Sequence, residues 1–328
     1  MQILQISKKG IRSRRRKKRG ASFARDVGQR HALAFGTALQ RRVSELVIGI
    51  GAVGGLGMVL VDQLMRLFPG KLIVGDRDSV SISNLNRLPG ATALDARLGT
   101  HKAELALRHV LTFNPNQQIE IVKGDFLERP VQEVYRECDI FFSPFDNVAA
   151  RLSANQLCMV HGIILFDLGV GVIVKRRRMK AAGGQVIKVT PGSGFCLACK
   201  DFYDRREAAA EFMDAEEHKR QEAMGYIRGA HIEAPQVYSL NCSVASLAVW
   251  WLMRFVAGED LEFDGIAYNA LDFSVHTWKE ERSNPNGCPV CGDEGLAMTG
   301  DSGNLLVRPS RTSSAGELPR RMSPACGS

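Results

Sequence analysis

The stretch Gly49-Ile50-Gly51-Ala52-Val53-Gly54-Gly55 decides the fold. Before it, the apolar run Val43–Ile50 predicts a strand; after it, Gly54–Phe68 predicts a helix with a small-residue start. A second strand, Lys71–Asp76, then ends in a carboxylate. Glycines here permit a tight strand-to-helix turn and a close approach of backbone N–H groups to phosphate or ribose. Asp76 can accept hydrogen bonds from ribose hydroxyls. Together these features read as a site for an adenosine-containing ligand. They do not separate an NAD- or FAD-binding oxidoreductase from an ATP enzyme.

Downstream, strands and helices alternate. Ser83–Leu88 reads as a turn or short helical piece, and Thr100–Phe113 as a helix with Thr100 as its N-cap. Ile119–Lys123, Asp139–Ser143 and Ile163–Leu168 are predicted strands, and Asp146–His161 a helix. This pattern predicts an α/β, Rossmann-like fold, a mainly parallel sheet with helices on both faces. Later come a strand at Gln185–Thr190, a buried helix at Gln236–Ala257 and two late strands within Leu261–Thr277, expected to be antiparallel. Phe202–Met224 is charged, has little apolar stripe, and is expected to be helical, exposed and mobile.

Cys196 and Cys199 form one CxxC pair, and Cys288 and Cys291 a second. Two thiolates on one tight turn each supply half of a tetrahedral shell, so the four predict a structural zinc clasp with no open position for water. Cys138, Cys158, Cys242 and Cys326 show no paired spacing, and no secretory signal is evident. A reducing, cytoplasmic setting fits best.

The net charge of +8 is misleading. Nine Lys or Arg and no acid fall in residues 1–20, so the remainder is close to neutral. Residues 1–22 are expected to be a disordered basic tail; a nucleic-acid role for it is the weaker reading. Residues 23–294 form the folded body, divided into 23–168 and 169–294, with a mobile crossover at 200–235. From 295 to 328, Ser, Gly, Pro and Arg dominate and predict a second disordered tail. No uninterrupted apolar run reaches the roughly 20 residues of a membrane helix.

The polar run from Asp76 to Arg87 lies just past the second strand, at the ligand-binding edge of the sheet, and Lys102 follows. Asp146 and Asn147 come after the fourth strand at the same edge. A triphosphate needs cations to neutralise it and a carboxylate to hold magnesium. Hydride transfer needs none of this extra charge. Taken singly, Arg87 or Lys102 could be a surface ion pair, and Asp146 a helix cap.

With GIGAVGG, DRDSVSISNLNR, GTHKAE, FSPFDNVAAR and the two CxxC pairs in place, the chain from about Phe23 to Gly292 resembles the ThiF/MoeB/HesA adenylyltransferases. That family includes ubiquitin-activating enzymes. Within it, the chain is most similar to the bacterial branch associated with ubiquitin-like conjugation operons, some of them antiviral. The resemblance implies ATP-dependent adenylation of the C-terminal carboxylate of a ubiquitin-like or sulfur-carrier protein. It implies Gly49, Gly51 and Gly54 shaping the nucleotide loop, Asp76 on the ribose, Asn84, Arg87 and Lys102 on the phosphates, and Asp146 on magnesium. It further implies a homodimer in which an N-terminal Arg, Arg25 with Arg30 as competitor, reaches the partner's triphosphate, and a conjugating-type partner downstream.

The chain departs from the family pattern at Ala52, where a second glycine is usual, and at Leu88, where Gln is usual. Many relatives carry a nucleophilic cysteine after the first knuckle, but Lys200 to Tyr238 contains none. Cys242 is the next candidate for a thioester; the bland reading makes it a core residue of an enzyme that stops at the adenylate. A non-catalytic nucleotide-binding scaffold of the same fold is the remaining alternative.

Overall fold

The structure, a computed structural model, describes residues 26–199, 203, 205–213, 235–259, 261–280, 287–300, 303 and 305–308. Its frame is a single eight-stranded sheet, in the order β3-β2-β1-β4-β5-β6-β7-β8. The first five are β1 (Val47–Ile50), β2 (Lys71–Asp76), β3 (Ile119–Lys123), β4 (Ile140–Ser143) and β5 (Ile164–Lys175). All of these pair in parallel. The sheet then turns antiparallel through β6 (Arg178–Val189), β7 (Gly265–Asn269) and β8 (Ser274–Trp278). The expected fold class stands.

Side chains alternate across the sheet with the period of two that strands impose. Ile48, Ile50, Phe142 and Phe166 face one core, and Phe141, Leu165 and Ile187 face the other. Helices cover both faces, so the central strands are apolar on both sides, as parallel sheets require. On the first face lie α2 (Gly55–Leu64) and α8 (Tyr238–Ala257), which pack against each other. By length and composition α8 could cross a membrane. Its Val244, Ala248, Trp251 and Leu252 are instead buried against the sheet and α2, which makes it a core helix. The second face holds α6 (Val148–His161) and the residues around both cysteine knuckles.

Several element boundaries differ from the sequence expectation, each for a local reason. The strand predicted from Val43 begins at Val47, because Val43 is buried as the last residue of α1 (Gln29–Val43). The short helices α3 (Ala93–Leu98) and α5 (Arg129–Val134) were not predicted; at six residues each they carry too little periodicity. Helix α4 (Lys102–Phe113) starts two residues late, with His101 Nδ1 rather than Thr100 accepting the Ala103 N–H at 3.2 Å. Asn147 caps α6, its Oδ1 accepting the Ala150 N–H at 2.8 Å, which leaves Asp146 outside the helix.

The β5–β6 hairpin is far longer than the two short strands predicted. Glycines hide its alternation: a Cβ on Gly184 would fall 2.5 Å from the Gly169 carbonyl and from Val244. Two expected mobile regions are partly packed. Helix α7 (Arg205–Phe212) buries Ala208, and its Glu211 accepts the Ala149 N–H at 2.7 Å; residues 214–234 lie outside the described set. Past Gly295 the chain continues along the core. Met298 and Arg308 donate backbone N–H groups to Met159 and Leu127, and Leu305 is buried.

Gly57 and Gly54 separate packing from ligand space. A Cβ on Gly57 would stand 1.9 Å from the Ala52 carbonyl oxygen, whereas one on Gly54 would meet nothing within 4 Å. Gly57→Ala is expected to lower the urea-unfolding free energy by about 1–3 kcal/mol. Gly54→Ala should stay within about 0.5 kcal/mol of the parent.

Candidate functional site

Parallel strands leave their carboxyl ends at one edge, and crevices there bind ligands. At this edge Gly51, Gly54, Asp76, Lys102 and Asp146 line one cleft of about 150 Å³. Asp76 ends β2 and is 7% exposed. Its Oδ2 accepts the Val53 N–H at 2.9 Å and its Oδ1 the Asp78 N–H at 2.8 Å, which fixes the glycine turn against the next strand. Burial raises its pKa, opposed mainly by the charge of Lys102. Lys102 Nζ sits 2.8 Å from Asp78 and 3.8 Å from Asp76. Asp146 is exposed, with the Asn147 amide 3.5 Å away, so its carboxylate keeps capacity for a cation.

Other expected residues fall elsewhere. Gly49 is packed within β1, where a Cβ would meet Cys138 and Phe141 at 2.8 Å; it supports the turn from below. The Asn84 side chain accepts the Ser81 N–H in a capping box, outside the cleft lining. Arg87 lays its stem beside Gly55 while its guanidinium donates to the Ser83 carbonyl and Asn86. Cys242 is half-buried against the core and does not line the cleft. Arg25 lies outside the described residues, and Arg30 is exposed on α1.

The site also contains residues that the sequence reading did not single out. Arg151 lines the cleft and donates to Asp167 on β5 at 2.8 Å. Asp167 is fully buried and also accepts from Ser143 at 2.8 Å and from Tyr203. Burial works against the Arg151 cation, but Asp167 and Tyr203 outweigh it and hold its pKa above the ordinary value. One turn further along α6, Asn155 accepts the Leu197 N–H at 3.0 Å and so ties the first knuckle to the helix. The N-cap Asn147 and, within the helix, Arg151 and Asn155 are spaced by four. That polar stripe was the available signal. Asn241, on the first turn of α8, lines the cleft too.

Sulfur atoms of Cys196, Cys199, Cys288 and Cys291 lie within 4.8 Å of one another. A tetrahedron with metal–sulfur bonds of roughly 2.3 Å has sulfur–sulfur edges of about 3.8 Å. Cys196 is 3.7 Å from Cys199 and 3.9 Å from Cys288, while Cys199 and Cys291 stand closer at 2.9 Å; four thiols gathered this tightly form a donor set that suits zinc. The thiols influence one another: hydrogen bonding from Cys291 pulls Cys196 down, and the same contact pushes Cys291 up. The group stands apart from the cleft lining.

The ThiF family profile matches residues 28–290. SAMP-activating enzyme E1 of Haloferax volcanii is 30% identical over 256 residues, which cover 78% of this chain and 83% of that one. Ubiquitin-like modifier-activating enzyme 5 of Drosophila willistoni is 30% identical over 170 residues, 48% of this chain and 39% of that protein. The chain thus spans about two fifths of that longer relative. Among solved structures, E. coli MccB with ATP shares the fold at a TM-score of 0.63 and 16% identity, over 81% of this chain and 74% of that chain. E. coli MccB with MccA-N7isoASN gives 0.63 at 18% identity, over 81% and 75%.

Two stability measurements test this architecture. Arg151→Met strands a buried carboxylate and is expected to cost about 3–5 kcal/mol in urea unfolding, whereas Tyr203→Phe should cost about 1 kcal/mol. Elemental analysis should find about one zinc per chain. Stripping it with a chelator should lower Tm by roughly 5–10 °C.

Proposed function

Because the chain belongs to the ThiF family, whose profile covers residues 28–290, we propose that its cleft adenylates the C-terminal carboxylate of a ubiquitin-like or sulfur-carrier protein. One observation carries this reading: Gly54, Asp76, Lys102 and Asp146 converge at the carboxyl edge of the parallel sheet, with open space over Gly54. A carboxylate oxygen of the carrier attacks the α-phosphorus of ATP. The bond from that phosphorus to the bridging oxygen breaks, pyrophosphate leaves, and an acyl-adenylate remains. A free carboxylate is a poor acyl donor and AMP a good leaving group, so the protein's work is alignment and charge screening.

Within that reading each group has a task. Backbone at Gly51 and Gly54 borders the phosphates at the start of α2. Asp76 spends two acceptor sites on Val53 and Asp78 and keeps others for ribose hydroxyls. Lys102 exchanges Asp78 for phosphate oxygens. Arg87 joins it by turning its guanidinium about a stem already beside Gly55. Asp146 would hold magnesium, which screens the triphosphate when bound. A homodimer with Arg25 crossing to the partner's site belongs to the same proposal, as does a conjugating-type partner that accepts the activated carrier. The half-buried position of Cys242 away from the cleft lining favours release of the carrier from the adenylate itself over a thioester on this chain. The seven described cysteines are all free, which suits a reducing cytoplasm.

ATP–pyrophosphate exchange with a ubiquitin-like carrier tests the reading. Asp146→Ala should lose exchange by about 100-fold or more with the carrier still bound. Gly54→Ala should keep its stability and lose about tenfold in ATP affinity, because its methyl group enters ligand space. Binding of a nicotinamide dinucleotide in preference to ATP would overturn the reading in favour of an oxidoreductase. ATP binding with no exchange would leave a scaffold.

A further inference from the structure

Asn241 is 1% exposed and lines the cleft together with Gly55, Arg151 and Gln236. Neither its Oδ1 nor its Nδ2 has a hydrogen-bond partner among the described residues. Buried carboxamides are normally paired, so an unmatched donor and acceptor at the wall of a ligand cleft ask what fills them. The fold keeps room for this group. A Cβ on residue 55 would fall 2.7 Å from Asn241 Nδ2 and 3.0 Å from Arg87 Cδ. Glycine at 55 therefore lets the amide lie between the nucleotide turn and the Arg87 stem.

The chemistry of the missing partner can be narrowed. Phosphate oxygens only accept, so they would satisfy Nδ2 and set a negative charge against Oδ1. A cation would take Oδ1 and leave Nδ2 unpaired. A peptide unit offers one carbonyl and one N–H and answers both. The edge of adenine also offers both, but Asp76 and Gly124–Phe126 mark the adenosine end, on the β2–β3 flank. Asn241 comes from α8, which packs on α2, β5 and β6, across β1 from that flank.

We propose that Asn241 pairs with the last peptide unit of the incoming carrier tail, Nδ2 donating to its carbonyl and Oδ1 accepting its N–H. This contact aligns the terminal carboxylate with the α-phosphorus. The inference rests on the activating-enzyme reading above and adds to it a residue that reads main chain rather than side chain. Any tail whose final linkage is an ordinary secondary amide satisfies it.

Three probes test the proposal by titration calorimetry on the full chain. They are adenosine 5′-sulfamate, its N-acyl derivative with acetyl-glycylglycine, and the same derivative with an ester oxygen replacing the final peptide N–H. For the parent chain, the glycylglycine unit should add at least tenfold in affinity over the sulfamate, and the ester should forfeit several-fold of that gain. Asn241→Leu should abolish the gain, bind amide and ester alike, and change sulfamate affinity less than twofold. Retention of the gain in Asn241→Leu would overturn the proposal. So would an equal loss for the bare sulfamate, which would mark a nucleotide contact. Should the variant fail to fold, the parent chain still decides, since equal affinity for amide and ester overturns the proposal. A parent chain that does not bind adenosine 5′-sulfamate at all brings down the activating-enzyme reading itself, a result distinct from failure at Asn241.

Discussion

The buried ion pair between Arg151 and Asp167 is the joint on which the molecule turns. Asp167 lies on β5, the strand where the sheet changes from parallel to antiparallel. Arg151 belongs to α6 and reaches the cleft, and Tyr203, just beyond the first knuckle, closes the triangle. A charge this deep is tolerated only when paired and fully hydrogen-bonded. Here Ser143, Tyr203 and Arg151 supply those bonds. The cleft wall, the sheet's change of direction and the start of the crossover are therefore fixed by one set of contacts. Such networks contribute more to a single defined geometry than to net stability.

From this joint α6 works as a ruler. Its N-cap is Asn147, with Asp146 just before it; a turn later stands Arg151, and a further turn on Asn155, which holds the cysteine knuckle. Four-residue spacing puts all three polar groups on one side of the helix. Apolar residues of the same helix, Leu157 and Met159 among them, fill the second core. The cysteine cluster and the cleft thus share one rigid element while lying apart.

Much of this was legible in the residues. The glycine turn, the strand ending in Asp76 and the paired cysteines depend on local chemistry: a tight turn needs glycine, and a tetrahedral site needs thiolates. What escaped was non-local. Gly184 in β6 makes sense only beside Gly169 and Val244, so its strand read as broken. Arg151 closed a recognisable motif, but its role depends on Asp167, which the fold places beside it. Leu305 belongs to a stretch whose composition suggests a tail, yet packing against residues from a different part of the chain buries it. Arg87 and Asn84 were found in the expected segment but not in the cleft lining, because side-chain direction follows local hydrogen bonds rather than sequence proximity.

The four-cysteine cluster has a topological consequence. Cys196 and Cys288 are 92 positions apart, and an ion shared between the two knuckles would close everything between them into a ring. Closing a ring of that size removes many configurations from the unfolded chain while asking little of the folded one. It would also make the backbone inside the ring dispensable as a connector. A single proteolytic nick between the knuckles would leave one assembled particle, held by the ion and the sheet, until a chelator or acid released the two fragments.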